Sequence, residues 1–239
     1  MISHLDDVSI IIAARNEEDC IERCISRVHS VLPNAEMLIV DGGTDRTGEI
    51  VTALQGRFPH LRYIKNINDR GKGHAIRVGI EHASRAVLTQ CDADLQFVPE
   101  EIPRLLEPIL IDRADFVMGS RFRSGAVRLP GSTPPVRTFG NKLISRTASM
   151  VYRYPISDVM AGAKAWKREV TESFELTSAT FSYELELIAK ALRKGWRVEE
   201  IAVTTDARQG GASSIRVLEH GYEVFRDIAR FRLQTIDRL

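Results

Sequence analysis

The stretch AVLTQCDADLQFVPEE, residues 86–101, decides how the chain reads. A β-rich run, Ala86–Cys91, ends abruptly in Asp92-Ala93-Asp94, and Pro99 with Glu100 and Glu101 then suits a first helical turn, where acidic side chains meet the positive end of the helix dipole. At the end of a strand, residues i and i+2 point to the same side, so Asp92 and Asp94 converge on one point. Held close without a cation, one of them stays protonated. A divalent ion removes the repulsion, and a ligand set made only of oxygen selects Mg²⁺ or Mn²⁺. Gln96 repeats the spacing and offers a neutral oxygen. The plain alternative is a pair of solvated loop aspartates, with Asp94 capping the next helix. Position argues against it, because the pair closes the fourth unit of a regular series.

That series runs outward from the quoted stretch. Strands are expected at Val8–Ala13, Glu36–Val40, Leu61–Asn66, Ala86–Cys91 and Asp115–Ser120. Helices are expected at about 17–31, 45–55, 71–84 and 99–110. Regular β-α alternation argues for a mostly parallel sheet covered by helices on both faces, and ligands of such sheets sit beyond the carboxyl ends of the strands. Arg15, Asn16 and Glu17 follow the first strand, Asp41 the second, Asp92 and Asp94 the fourth and Arg121 the fifth, so they share that address. Past Gly125 the texture changes. RSGAVRLPGSTPPVR reads as a mobile loop. A helix at 138–152, a turn at Asp158, a strand AGAKAW, a helix SYELELIAKALRKG and a strand WRVEEIAVTT come next. A Gly/Ser loop and an apolar-and-arginine helix end the chain.

Composition sets limits. With 44% apolar residues in 239, one domain with a sizeable core fits. A net charge of +1 gives no overall field for nucleic acid. Cys20, Cys24 and Cys91 form no CxxC or zinc pattern, which points to a reduced, cytoplasmic chain. The first 18 residues do not read as a signal peptide, and no apolar run approaches the ~20 residues needed to cross a bilayer. Two further motifs stand out. VDGGTDRT places Asp41 before a Gly-Gly turn, where it can accept from a base or ribose, with Thr44 or Asp45 capping the next helix. In NDRGKGHAIR, Gly71 and Gly73 flank Lys72 at a helix start, a place that suits an anion. The six histidines, His4, His29, His60, His74, His82 and His220, form no base-like constellation and read as surface residues.

Taken in order, IIIAARNEE, VDGGTDRT, RGKGHAIRVGI, CDADLQFVPEEIPRL, VMGSRF, FGNKLISR, DVMAGAKAWKRE, FSYELELIAKALRKGWRVEEIAV and RQGGASS resemble family 2 glycosyltransferases. Within that family they are most similar to polyprenol-phosphate sugar transferases of the dolichyl-phosphate mannose and glucose synthase type. The resemblance implies an α/β GT-A fold: a Rossmann-like, mostly parallel sheet flanked by helices, with acceptor-side helices toward the C-terminus. Residues 1–125 would form the nucleotide-sugar half, 126–212 the acceptor half and 213–239 an amphipathic helix. It also implies roles. Ala13, Arg15, Glu17, Asp41, Lys72, Asp92 and Arg208 would bind the donor. Asp92, Asp94 and Gln96 would hold Mg²⁺ or Mn²⁺ on the diphosphate. Asp94 and Arg121 would act in catalysis, and Arg121, Arg137, Asn141 and Ser145 would receive the lipid phosphate. The chain departs from the family pattern in Ala13-Ala14-Arg15-Asn16-Glu17, where an aromatic base contact is missing, and in Ala161-Gly162-Ala163 and Ser213-Ser214.

The implied partners are a nucleotide-diphosphate sugar, a polyprenyl phosphate and a membrane surface, met directly or through a membrane protein. A homodimer is compatible, nucleic acid is not expected, and the location would be cytoplasmic or peripheral on the cytoplasmic membrane face. The implied reaction is an inverting displacement. A phosphate acceptor is already anionic near neutral pH and needs no strong base. A hydroxyl acceptor would need one, for which Asp158 and Glu184 are available. Transfer to a soluble or saccharide hydroxyl, and a non-catalytic nucleotide-sugar-binding protein, remain open alternatives. A nucleotidyltransferase is disfavoured because AARNEE lacks the Gly-rich loop after strand one.

Overall fold

The structure, a computed structural model, describes residues 5–210 and 217–235. In chain order β1 (Val8–Ala14), α1 (Ile21–Val31), β2 (Glu36–Asp41), α2 (Thr47–Leu54), β3 (Leu61–Lys65), α3 (Lys72–His82), β4 (Val87–Asp92), α4 (Ile102–Leu110) and β5 (Phe116–Ser120) alternate as the sequence implies. There follow β6 (Val127–Arg128), α5 (Pro135–Tyr152), β7 (Lys164–Lys167), α6 (Arg168–Glu172), α7 (Tyr183–Lys194), β8 (Val198–Ala202), β9 (Thr204–Thr205) and α8 (Val217–Leu233). Seven strands form one sheet in the order β3-β2-β1-β4-β7-β5-β8, and β6 and β9 form a small second sheet.

Every pairing in the large sheet is parallel except those of β7, which runs antiparallel between β4 and β5. Strand alternation divides the core. Ile10 and Ile12 of β1 pack beneath α1 and α4, while Ile11 packs on the other face with Trp166, Tyr183 and α3. Each such fully buried side chain contributes about 1.5–3 kcal/mol.

Four expectations shift. The first helix starts at Ile21 rather than at 17, because Asn16 takes a left-handed φ of 58° and turns the chain. The strand expected over 161–166 begins at Lys164, since the Ala161 and Gly162 carbonyls turn toward Lys164 and Gln90. The strand expected over 196–205 divides at Val203, because β8 pairs with β5 in the large sheet and β9 pairs with β6 in the small one. The C-terminal helix is part of the core. Val224, Ile228 and Phe231 of α8 are buried, and Tyr152 of α5 donates to Ile228 O at 2.9 Å. Among the described residues no helix is long and apolar enough to cross a membrane. His4, Ser213 and Ser214 lie outside the described residues, as does the side chain of His220.

Candidate active site

Register places the site. Ala14 of β1 sits opposite Asp41 of β2, and Ala13 sits opposite Asp92 of β4, so the acidic residues line one carboxyl edge of the sheet. The half-buried Ala13 contributes backbone there. The β1 exit is tight: a Cβ on Gly43 would lie 2.6 Å from Asn16 N, and one on Gly42 2.5 Å from Asp69 Cγ. Glycine permits this close packing, and Asn16 Oδ1 accepts from Thr44 N–H at 2.9 Å. Thr44 or Asp45 was expected to cap the next helix; its N-cap position is Arg46, and Asp45 Oδ1, one residue earlier, takes the Thr47 N–H at 3.1 Å.

Asp41 is buried and accepts from Gly43 N–H at 2.7 Å, Tyr63 Oη at 2.9 Å and Lys65 Nζ at 3.2 Å. Tyr63 and Lys65 line an open cleft of 560 Å³ beside it, between β2, α2 and β3. Burial and then Asp41 push the Tyr63 hydroxyl up to about 12, so it stays a donor at neutral pH. Sequence reasoning missed Tyr63, although LRYIK carries an aromatic on the strand beside Asp41. Arg15 is exposed and lies 3.6 Å from Asp69.

Glu17 and Asp94 share one cation. Arg208 reaches Glu17 Oε1 at 2.7 Å and Asp94 Oδ2 at 2.9 Å, and its Nε donates to Gly210 O at 2.6 Å. Burial raises the Glu17 carboxyl, against the Cys20 thiol, which donates to it at 3.2 Å, and Arg208. Asp94 is also raised, first by burial and then by Asp92, while the Gln96 N–H and Arg208 oppose the rise. That is the repulsion expected of the pair. Leu95, the next residue, has a φ of 60°, a strained conformation for leucine that belongs to the turn carrying Asp94.

Asp92 takes its cation from α3. Lys72 Nζ lies 2.6 Å from Asp92 Oδ1 and 3.2 Å from Glu184 Oε1. Gly71, with φ 120°, makes the turn that starts this helix. Lys72 was expected to face an anion of the donor. The structure turns it to two carboxylates instead, because Glu184 arrives from α7, 112 residues away in the chain. A Cβ on Gly162 would collide with Asp92 Oδ2 and lie 3.1 Å from Lys72 Nζ, so only glycine leaves that oxygen room.

The donor set fits a hard divalent ion completed by phosphates. Among the described residues no three acidic, His or Cys side chains form a closed cage. Two carboxylates at a strand end are what Mg²⁺ takes when substrate oxygens and water supply the rest. Gln96 lies on the same turn, and its Nε2 donates to Ser132 O, which ties the loop before α5 to the turn after Asp94.

Other expected site residues have protein partners in the structure. Arg121 is nearly buried, and its Nε and Nη2 clasp Asp158 at 2.7 and 2.8 Å, so the planar fork offered to phosphate already holds a carboxylate. Ser145 is buried, and its Oγ accepts from Val159 N–H at 3.0 Å, which makes it a brace between α5 and the Asp158 turn. Both candidate bases are ion-paired. Asp158 holds Arg121, and Glu184 is enclosed by Lys164, Lys72, Tyr183 and Gln90 rather than solvated. Burial would raise Glu184, but Lys164 and Lys72 outweigh it and hold the carboxyl below its ordinary range. Arg137 and Asn141 are half-buried on the first turns of α5. His74, read as a surface residue, is buried, and burial lowers its pKa.

This architecture is that of a GT-A glycosyltransferase. The fold superposes on glucosyl-3-phosphoglycerate synthase of Mycobacterium tuberculosis, crystallised with Mn²⁺, UDP and phosphoglyceric acid, with a TM-score of 0.73. The likeness covers 95% of this chain and 79% of that one at 18% identity. The glycosyl transferase family 2 model matches residues 9–174, and the chain belongs to that family. It is 32% identical to a dolichol-phosphate mannosyltransferase of Pyrococcus furiosus over 92% of this chain, which spans 63% of that protein. It is 30% identical to the polyprenol monophosphomannose synthase of Mycolicibacterium smegmatis, over 86% of this chain and 80% of that one.

Proposed function

We propose that the chain transfers a hexosyl group from a nucleotide-diphosphate sugar to a polyprenyl phosphate, with inversion and with Mg²⁺ or Mn²⁺ held by Asp92 and Asp94. The observation that carries this reading is the acidic edge: Asp41 beside a cleft with an aromatic wall, then Asp92 and Asp94 at the end of β4. The names of the relatives support the acceptor class. Asp41, with Tyr63 and Lys65 holding its carboxylate, orients the nucleoside. A divalent ion bound at Asp92 and Asp94 would stabilise charge on the departing diphosphate. Arg208 bridges Glu17 and Asp94 and so sits between the nucleoside side and the phosphate side of the edge.

Occupation of both candidate bases favours a phosphate acceptor over a hydroxyl. An anionic phosphate oxygen attacks without losing a proton, whereas a hydroxyl needs a free carboxylate, and Asp158 and Glu184 are both ion-paired. The test offers GDP- and UDP-sugars with Mn²⁺ to the protein, with polyprenyl phosphate or a soluble alcohol as acceptor. Sugar on the lipid phosphate, with release of nucleoside diphosphate, is the expected product. Transfer only to the alcohol would overturn the acceptor assignment.

A further inference from the structure

Each carboxylate of the strand-end pair is met by one cation, and each cation bridges to a glutamate off that strand end. Lys72 joins Asp92 Oδ1, at 2.6 Å, to Glu184 Oε1, at 3.2 Å. Arg208 joins Asp94 to Glu17. The two differ in what else holds them. Arg208 is tied to its own loop through Gly210 O, and that loop is bonded to the β4 exit, where Gln209 N–H donates to Asp94 O at 3.0 Å. The Lys72 ammonium lies between its two carboxylates, 5.7 Å from the centre of the Tyr183 ring. Its side chain is only 18% exposed, so its charge needs a partner at all times. Glu184 is enclosed, takes Lys164 on Oε2 and turns Oε1 to Lys72. Lys72 holds only Oδ1 of Asp92, and Gly162 leaves the other oxygen room.

We propose that Lys72 is a resident counter-ion of Asp92, which yields that carboxylate to the divalent ion and moves its own charge onto Glu184. An ammonium and a divalent ion on one carboxylate repel each other, and at short range in a half-enclosed site that repulsion is strong. Glu184 supplies the ammonium with a second position, so its displacement leaves no unpaired charge. Both carboxylates are already within 3.2 Å of one side chain, so the exchange needs no movement of the backbone. Lys72 thereby keeps the two aspartates from repelling each other until the metal arrives, and it sets how tightly the metal is held. The proposal rests on the assignment of the metal to Asp92 and Asp94. It deepens that assignment by making metal affinity depend on a buried glutamate of α7.

The experiment titrates the whole chain with Mn²⁺ alone and reads free metal from the electron paramagnetic resonance signal of the aquo ion. Lys72→Met removes the competitor, so the Mn²⁺ concentration at half saturation should fall about tenfold, the worth of one charge-assisted hydrogen bond. Lys164→Met/Glu184→Gln replaces the buried pair with neutral side chains of similar volume, a change that folds tolerate. It removes one charge of each sign, so the net charge near the site is kept while Lys72 loses its second position. Half saturation should then need about five times more Mn²⁺. Adding Lys72→Met to that pair should restore the affinity of Lys72→Met alone. A lysine that only braces Asp92 predicts weaker binding in Lys72→Met, and a plain effect of net charge predicts no change in Lys164→Met/Glu184→Gln. Either result would overturn the proposal, as would Mn²⁺ uptake by neither wild type nor Lys72→Met. Asp94→Asn separates the proposal from its foundation. Equal Mn²⁺ binding by wild type and Asp94→Asn would remove the metal site itself, whereas binding lost in Asp94→Asn but not tightened in Lys72→Met would remove only the counter-ion.

Discussion

Replacing Lys164 with methionine removes one charge from the most enclosed ion pair on the active-site side of the sheet. Lys164 is fully buried, and its ammonium meets Glu184, which is 2% exposed, and the carbonyls of Val159 and Ala161. The substitution roughly conserves volume, so the main change is electrostatic. Glu184 is left with Lys72 at 3.2 Å, Gln90 Nε2 at 3.2 Å and the Tyr183 hydroxyl. Breaking a buried pair from one side costs about 3–5 kcal/mol. For a chain of this size that lowers the melting temperature by about 6–20 °C. The pH dependence follows from Glu184. Its carboxyl is held below the ordinary 4.5, so its contribution is present above that value and fades as pH falls through the folded value. Without Lys164, burial is opposed less and the carboxyl rises toward or above its unfolded value, so the variant is destabilised most near neutral pH and loses the part of the acid dependence that Glu184 supplies. Urea denaturation of wild type, Lys164→Met, Glu184→Gln and the double variant measures this, and the double should be more stable than the sum of the singles by more than about 1 kcal/mol. A Lys164→Met protein within about 1 kcal/mol of wild type, with the same acid limb, would refute the described network.

Other consequences can be checked in parallel. Asp94→Asn should abolish Mn²⁺-dependent turnover and the Mn²⁺-induced rise in melting temperature, with an intact circular dichroism spectrum; near wild-type turnover removes the metal from the account. Gly162→Ala, whose new methyl meets Asp92, should raise the Mn²⁺ concentration needed for half-maximal activity by about tenfold, roughly a 1.4 kcal/mol loss; an unchanged requirement would show that Asp92 needs no room there. Arg137→Ala should raise the requirement for lipid acceptor more than for donor, and an unaltered acceptor curve removes that residue from the acceptor site. Arg197, then Lys167, hold Asp115 well below the ordinary 3.8, so its stabilisation is present above that pH and lost below it. Asp115→Asn should therefore lower the melting temperature most near neutral pH and little in strong acid, and a uniform loss across pH would point to packing instead.

The sheet edge was legible in the residues because strand periodicity and abrupt endings are local. Asp41, Asp92 and Glu17 each follow a short apolar run, and the parallel-sheet rule gives them one address. The partners of those residues were not legible. Lys72 and Glu184 meet only because α7 packs over β4 and α3, and SYELELIAK looks like a solvated helix while Glu184, Glu186 and Lys190 are all buried. The direction of β7 was hidden too, since alternation specifies which face is buried and not which way the strand runs. Arg121 illustrates a third limit. Its position after a strand is local, but the Asp158 that takes its fork lies beyond α5. Tyr63 lies on β3, two residues before the Lys65 that pairs with Asp41 in the ladder, and only the sheet pairing brings its hydroxyl to that carboxylate.

The account rests on Asp92 and Asp94 gripping a divalent ion against a diphosphate. Anomalous diffraction from crystals grown with Mn²⁺ and the nucleotide that most raises the melting temperature tests this most directly. The account predicts a manganese peak within coordination distance of both carboxylates and of nucleotide phosphate oxygens. Nucleotide bound with Lys72 and Arg208 still on those carboxylates, and no manganese peak near either, would contradict it.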